Sequence, residues 1–180
     1  MLKYLKKFEK KNIGILGGSF NPPHHGHYFI SKIGIKKLNL DLLLWIITNQ
    51  NPLKPTSKKN TNYKKKLSKS IIAPLAEKIK IEYLEKKINS PHTYDLLKFL
   101  KKKNSKAKYF FLMGADNFIN LHKWHNWENI SKLCKIVVFD RPGYSLKCLN
   151  SIASKKLRKK DWKFIKSKKI YISSSILRKI

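Results

Sequence analysis

Asn12-Ile13-Gly14-Ile15-Leu16-Gly17-Gly18-Ser19-Phe20-Asn21-Pro22-Pro23-His24-His25-Gly26-His27 is the stretch on which the fold turns. Its first five residues form a short apolar run suited to a strand, and from His27 to Leu38 the apolar spacing is that of a helix. A strand that passes into a helix across a glycine pair brings backbone N–H groups and a helix N-terminus to one point. Glycine lets the chain approach an anion closely, and the helix start supplies unpaired donors and a favourable dipole. His24 and His27, three residues apart, can then face the same phosphate oxygens. Taken alone, the glycines also suit a tight turn and the histidines a metal site or surface turn; the pattern is neither GxGxxG nor a Walker loop.

The alternation continues outward. Further strands are predicted at Leu42 to Thr48, Ile79 to Leu84, Lys108 to Met113, Lys135 to Phe139 and Lys169 to Ile172. Helices are predicted at Asn62 to Ala76, Thr93 to Lys103 and Trp127 to Leu133. Alternating β and α units imply one α/β domain, a Rossmann-like, doubly wound open parallel sheet with helices on both faces. Ligands bind such sheets beyond the carboxyl ends of the strands. The loops there carry the unusual chemistry: Gly17-Gly18, Asn49 to Pro55, Gly114-Ala115-Asp116, Arg141-Pro142-Gly143 and Ser173-Ser174-Ser175.

Composition narrows the functional classes. At 180 residues with 42% hydrophobic content, the chain suits a single core. Its 41 Lys and Arg against 10 Asp and Glu give a formal charge of +31, which invites a nucleic-acid or membrane partner. Only Arg141, Arg158 and Arg178 are arginines, however, and the lysines run from Lys3 to Lys179. Arginine is the residue suited to bidentate phosphate and guanine contacts, so the lysines read as a solvated coat and no specific nucleic acid is expected. Cys134 and Cys148 have no disulfide or zinc spacing, and a reducing cytoplasm is expected. The longest apolar run, Leu42 to Ile47, falls far short of the ~20 residues that span a bilayer. Met1 to Lys11 lacks the features of a signal peptide and reads as a short surface helix.

Gly17 to His27 resembles the GGxFxPxHxGH signature of the nucleotidyltransferase superfamily, with Asn21 where many members have Asp. Ile172-Ser173-Ser174-Ser175-Ile176-Leu177-Arg178 resembles its ISSTxIR motif. Three middle segments are similar to the nicotinate-nucleotide adenylyltransferase branch: Gly114-Ala115-Asp116 followed by Trp124, Arg141-Pro142-Gly143-Tyr144, and Ser90-Pro91-His92-Thr93-Tyr94-Asp95. The resemblance implies that His24 and His27 are catalytic, binding the triphosphate and stabilising the transition state. It implies ATP contacts at Gly17, Gly18, Ser19, Phe20, Lys54, Ser174, Ser175 and Arg178. For the nicotinate nucleotide it implies Trp124 as a platform for the pyridine ring, Thr93 and the backbone around Trp124 and His125 at the carboxylate, and Asp116 and Arg141 on the nucleotide. A core position for Trp124 and a helix cap at Asp116 are the plain structural readings of those two residues.

The activity so implied is transfer of AMP from ATP to nicotinate mononucleotide, with Mg2+ carried on the ATP phosphates and no metal site built by the protein. Another acceptor, phosphopantetheine or NMN, is the neighbouring alternative. A basic nucleic-acid-binding protein on the same scaffold is the alternative of another class. The resemblance also implies a longer terminal helix than this chain has, since it ends at Ile180, two residues past Arg178.

Overall fold

The computed structural model describes residues 2–48 and 61–166. Six parallel strands form one sheet: β1 (Asn12–Gly18), β2 (Leu42–Ile47), β3 (Ile79–Glu82), β4 (Lys108–Gly114), β5 (Lys135–Phe139) and β6 (Trp162–Ile165). Their spatial order is β3-β2-β1-β4-β5-β6, the doubly wound arrangement, and the winding reverses between β1 and β4. β1 pairs with β2 from Ile13↔Leu42 to Gly18↔Ile47 and with β4 from Asn12↔Lys108 to Leu16↔Leu112. β2 reads Leu-Leu-Leu-Trp-Ile-Ile with every residue buried, as a parallel strand covered on both faces should.

Alternate residues of each strand feed two cores. On one side Leu43, Trp45, Ile47, Leu112 and Phe139 meet α1 (His25–Lys37) and α2 (Thr61–Ile72). On the other, Leu42, Leu44, Ile46, Phe111 and Met113 meet α4 (Thr93–Lys103), α5 (Ala115–Ile119), α6 (Trp127–Leu133), α7 (Ser145–Leu149) and α8 (Ile152–Lys156). A one-turn helix, α3 (Glu85–Ile88), precedes α4. The apposition of α1 to the sheet is close. A Cβ on Gly34 would stand 2.6 Å from Leu112 Cδ2, so only a glycine fits this contact unless the leucine yields.

Expected and observed elements differ where local chemistry intervenes. α1 starts two residues before the apolar spacing, because His24 caps it. α2 stops at Ile72 and tightens into a 3-10 turn, Ala73–Leu75, since Pro74 removes an N–H and disfavours helical backbone before it. The final described strand is β6, which the apolar pattern missed; the run Lys169–Ile172 lies outside the described residues. The N-terminal helix is a 3-10 helix, Lys3–Phe8, and it is more than a surface element. Leu2 and Leu5 are buried, and the Asn104 side chain donates to the Leu5 carbonyl at 2.8 Å. No helix among the described residues is long and apolar enough to cross a membrane.

Candidate active site

His24 is the N-cap of α1 and has extended backbone. Its Nδ1 accepts from the Gly26 N–H at 3.0 Å, while its own backbone N–H donates to His27 Nδ1 at 3.2 Å. This is a capping box built from two histidines in place of the usual Ser and Glu. Because each Nδ1 accepts, the ring proton of each histidine sits on Nε2, which faces away from the box. The two rings lie 3.9 Å apart between centroids, side by side at the carboxyl end of β1.

Buried groups hold that point in place. Phe20, with a φ of 43° and almost no exposure, stacks on Trp45 of β2 at 4.8 Å and meets the His27 ring at 4.6 Å. Left-handed backbone in a bulky residue costs about 1–2 kcal/mol, which the packing of this ring offsets. Trp45 Nε1 donates to Ser31 Oγ at 2.8 Å, and that hydroxyl donates to the His27 carbonyl at 2.8 Å. His27 is thus tied to the sheet through its ring and through its backbone. Sequence reading did not single out Ser31 or Trp45. The available signals were a Ser four residues after His27, placed to bond its carbonyl, and an indole inside an aliphatic strand, which requires an acceptor.

Across the sheet edge, Phe111 of β4 connects this loop to the second cluster. Its ring faces Gly17, where an added Cβ would make ordinary contact at 3.6 Å, and meets Trp124 edge-on at 6.1 Å. Trp124 is half-buried, with part of its surface packed against the core and part outside it. Thr93 is the first residue of α4, preceded by the N-cap His92. Ser90 Oγ braces this entry by donating to Asp95 at 2.6 Å and accepting from the His92 N–H at 3.1 Å. The rings of His92 and the exposed His125 lie 4.6 Å apart, bringing the start of α4 to the turn after Trp124.

Asp116, in the first turn of α5, forms an ion pair through Oδ2 with Arg141 Nη1 from the turn after β5. Its other oxygen, Oδ1, is buried without a hydrogen-bond partner. That oxygen occupies the space a side chain on Gly114 would take, at 2.5 Å from an added Cβ. An orphaned carboxylate oxygen of this kind is costly unless something donates to it.

Among the described residues, Gly17, Gly18, Ser19, Phe20, His24, His27, Thr93, Asp116, Trp124, His125 and Arg141 belong to the strand ends and helix starts on one edge of the sheet, around the reversal between β1 and β4. Phe20 serves there as a buried support and does not present its ring to a ligand. Lys54, Ser174, Ser175 and Arg178 lie outside the described residues.

Comparison with known proteins bears on the family and the fold. The cytidylyltransferase-like family matches residues 15–180. A probable nicotinate-nucleotide adenylyltransferase of Pelagibacter ubique (strain HTCC1062) is 46% identical over 172 residues, covering 96% of this chain and 94% of the relative. Another, from Mesorhizobium japonicum, is 33% identical with 93% and 94% covered. Among solved structures, the Plasmodium falciparum nicotinic acid mononucleotide adenylyltransferase complexed with APC superposes with a TM-score of 0.76 at 26% identity, over 94% of this chain and 83% of that one. The same enzyme complexed with NaAD gives 0.75. With its histidine-capped helix at the sheet's reversal point and relatives matched along almost their full length, this chain belongs to the nicotinate-nucleotide adenylyltransferases of the cytidylyltransferase-like family.

Proposed function

We propose that the protein transfers AMP from ATP to nicotinate mononucleotide, forming deamido-NAD and pyrophosphate, as a cytoplasmic step of NAD biosynthesis. The observation that carries this reading is the His24/His27 pair, whose rings lie side by side at the capped start of α1. A phosphate oxygen of the mononucleotide attacks the α-phosphorus of ATP, the bond to the bridging oxygen breaks, and pyrophosphate leaves. The attacking oxygen is already ionised at neutral pH, so the protein supplies alignment and charge neutralisation and no nucleophile of its own. His24 and His27 donate to the triphosphate as charge moves toward the leaving group, assisted by the α1 N-terminus. Lys54, Ser174, Ser175 and Arg178 are assigned to the same phosphates by motif.

Asp116 and Arg141 form the polar wall on the mononucleotide side, and the orphaned Asp116 Oδ1 suits a hydroxyl donor of a nucleotide. Trp124 offers its outward portion to the pyridine ring, with Thr93 and the backbone near His125 on the carboxylate. Arg141 already engages the Asp116 carboxylate, so the residues present suit a magnesium ion held by ATP oxygens and water. Bound there, the ion would screen the triphosphate charge. The test is an acceptor panel: purified protein, ATP and Mg2+ with nicotinate mononucleotide, NMN or phosphopantetheine, followed by pyrophosphate release. Turnover of nicotinate mononucleotide at the highest kcat/KM is expected; turnover confined to phosphopantetheine refutes the reading.

A further inference from the structure

The lysines are scattered in sequence, but the parallel topology gathers them in space. Every segment that returns from a helix to a strand ends on the amino-terminal edge of the sheet, opposite the edge bearing His24, Asp116 and Trp124. Helices also end there, and the negative end of the helix dipole favours lysine, as in α4, which closes on Lys101, Lys102 and Lys103. Among the described residues, the returning segments 9–12, 36–42, 76–79, 101–108, 132–135 and 155–161 hold seventeen Lys and Arg against four Asp and Glu. Among the described residues, the segments leaving four of the strands' carboxyl ends, 17–27, 82–95, 114–128 and 140–147, hold five against six; those after β2 and β6 lie outside the described residues from 49 and from 167. Three of the four carboxylates on the basic edge are already engaged, Asp41 by Lys11 at 3.8 Å, Glu9 by Lys106 at 3.2 Å and Asp161 by Arg158 at 2.7 Å.

Lys11, Lys78, Lys108, Lys135 and Lys160 stand at, or within two residues of, the first residue of five of the six strands. With strands spaced about 4.8 Å apart, they mark out a row of roughly 24 Å across the sheet. We propose that this edge is a second binding surface, which holds the phosphate backbone of a nucleic acid without reading its sequence and leaves the catalytic edge open. The row is made of lysine point charges, and Arg158, the arginine in these segments, is committed to Asp161, so base edges have no bidentate reader. An anionic membrane fits less well. The large exposed apolar side chains, Tyr63, Tyr144, Leu146, Leu149 and Ile152, all fall outside these segments, which leaves nothing to insert among lipids. A mononucleotide is too short to span the row, whereas a polymer can cover it.

The experiment measures fluorescence anisotropy of a labelled mixed-sequence 20-nucleotide RNA against the full chain from 50 to 200 mM salt. Neutralising about five phosphates gives a slope of log K on log salt of about −3.5, a loss of roughly 100-fold in affinity across that range. Nicotinate mononucleotide with a non-hydrolysable ATP analogue at saturation should leave the RNA bound. The variant K11Q/K108Q/K135Q/K160Q should flatten the slope to about −1 while retaining wild-type adenylyl transfer. A second edge variant, K36Q/K37Q/K102Q/K106Q, should weaken binding too, and K86Q/K87Q/K123Q/K147Q on the opposite side should not. Wild-type slopes in both edge variants, displacement of RNA by the substrate pair, or row-dependent capture of anionic vesicles in place of RNA would each overturn the proposal.

Discussion

Ser31 and Trp45 make a double-mutant cycle that tests whether the buried tether beneath His27 is a coupled unit. Both side chains are fully buried, and the indole N–H has Ser31 Oγ as its acceptor at 2.8 Å. Ser31→Ala leaves that N–H without a partner in a dry core, a cost of about 1–3 kcal/mol. Trp45→Phe removes the donor and part of a large ring, and the cavity brings the cost to about 2–3 kcal/mol. In the double variant no orphaned donor remains. Its destabilisation should therefore fall short of the sum of the single values by about 1–2 kcal/mol. Urea denaturation measures this directly: at a slope near 2 kcal/mol per molar, a 2 kcal/mol loss lowers the midpoint by about 1 M. Additivity within about 0.4 kcal/mol would refute the reasoning, because the two groups would then be independent.

His24→Ala and His27→Ala should each lower kcat by about 100-fold or more if each removes the Nε2 donor proposed for the triphosphate, with a stability loss near 1 kcal/mol from the broken cap; steady-state kinetics and thermal melts check both. Gly114→Ala should raise KM for the mononucleotide severalfold by pushing Asp116 off its site and loosening Arg141; unchanged KM and a crystal structure with Asp116 in place would refute it. Burial pushes the Cys134 thiol up to about 12, the Cys148 thiol to about 11 and the Tyr109 hydroxyl to about 12, and burial with the Glu82 contact also raises Tyr4. These groups remain protonated in the native protein after the unfolded chain has ionised, from its cysteine value of 9.0 and tyrosine value of 10.0 upward. Stability is therefore expected to be insensitive to them below pH 9 and to fall above it, by up to about 1.4 kcal/mol per pH unit for each, as urea midpoints at pH 8, 10 and 11 would show. A thiol reagent at pH 8 should leave both cysteines of the folded protein unmodified and label both in urea.

Much of the fold was legible because its signals were local. β1 and the glycine pair declared a strand-to-helix passage, and α4 and α6 were read to the residue from apolar spacing alone. β6 was missed because Trp-Lys-Phe-Ile is short, lies at the sheet edge and breaks its apolar run with an exposed lysine, leaving three apolar residues against six in β2. At the site, the histidine pair was legible because a helix cap is a sequence-local event. The Asp116–Arg141 pair joins residues 25 apart, and each was found through its own motif with no hint that they meet. Trp45, Ser31 and Phe111 escaped notice because support from below is a property of packing, and their residue types are ordinary for a core. Reading the lysines as scattered was correct along the chain; only the strand order reveals that the turns bearing them share an edge.

Gly34 carries a last consequence. It sits seven residues after His27 on α1, about two helical turns or ~10 Å along the axis. The glycine touches no substrate, yet it sets how deeply the helix beds against Leu112. Restoring even a tight but tolerable 3.4 Å contact after a methyl is added would require a movement of about 0.8 Å, shared between helix and leucine. Since α1 is a stiff rod, part of that displacement would arrive at the histidines. A position whose contribution is to be empty thus helps to aim two side chains that lie at the start of the same helix.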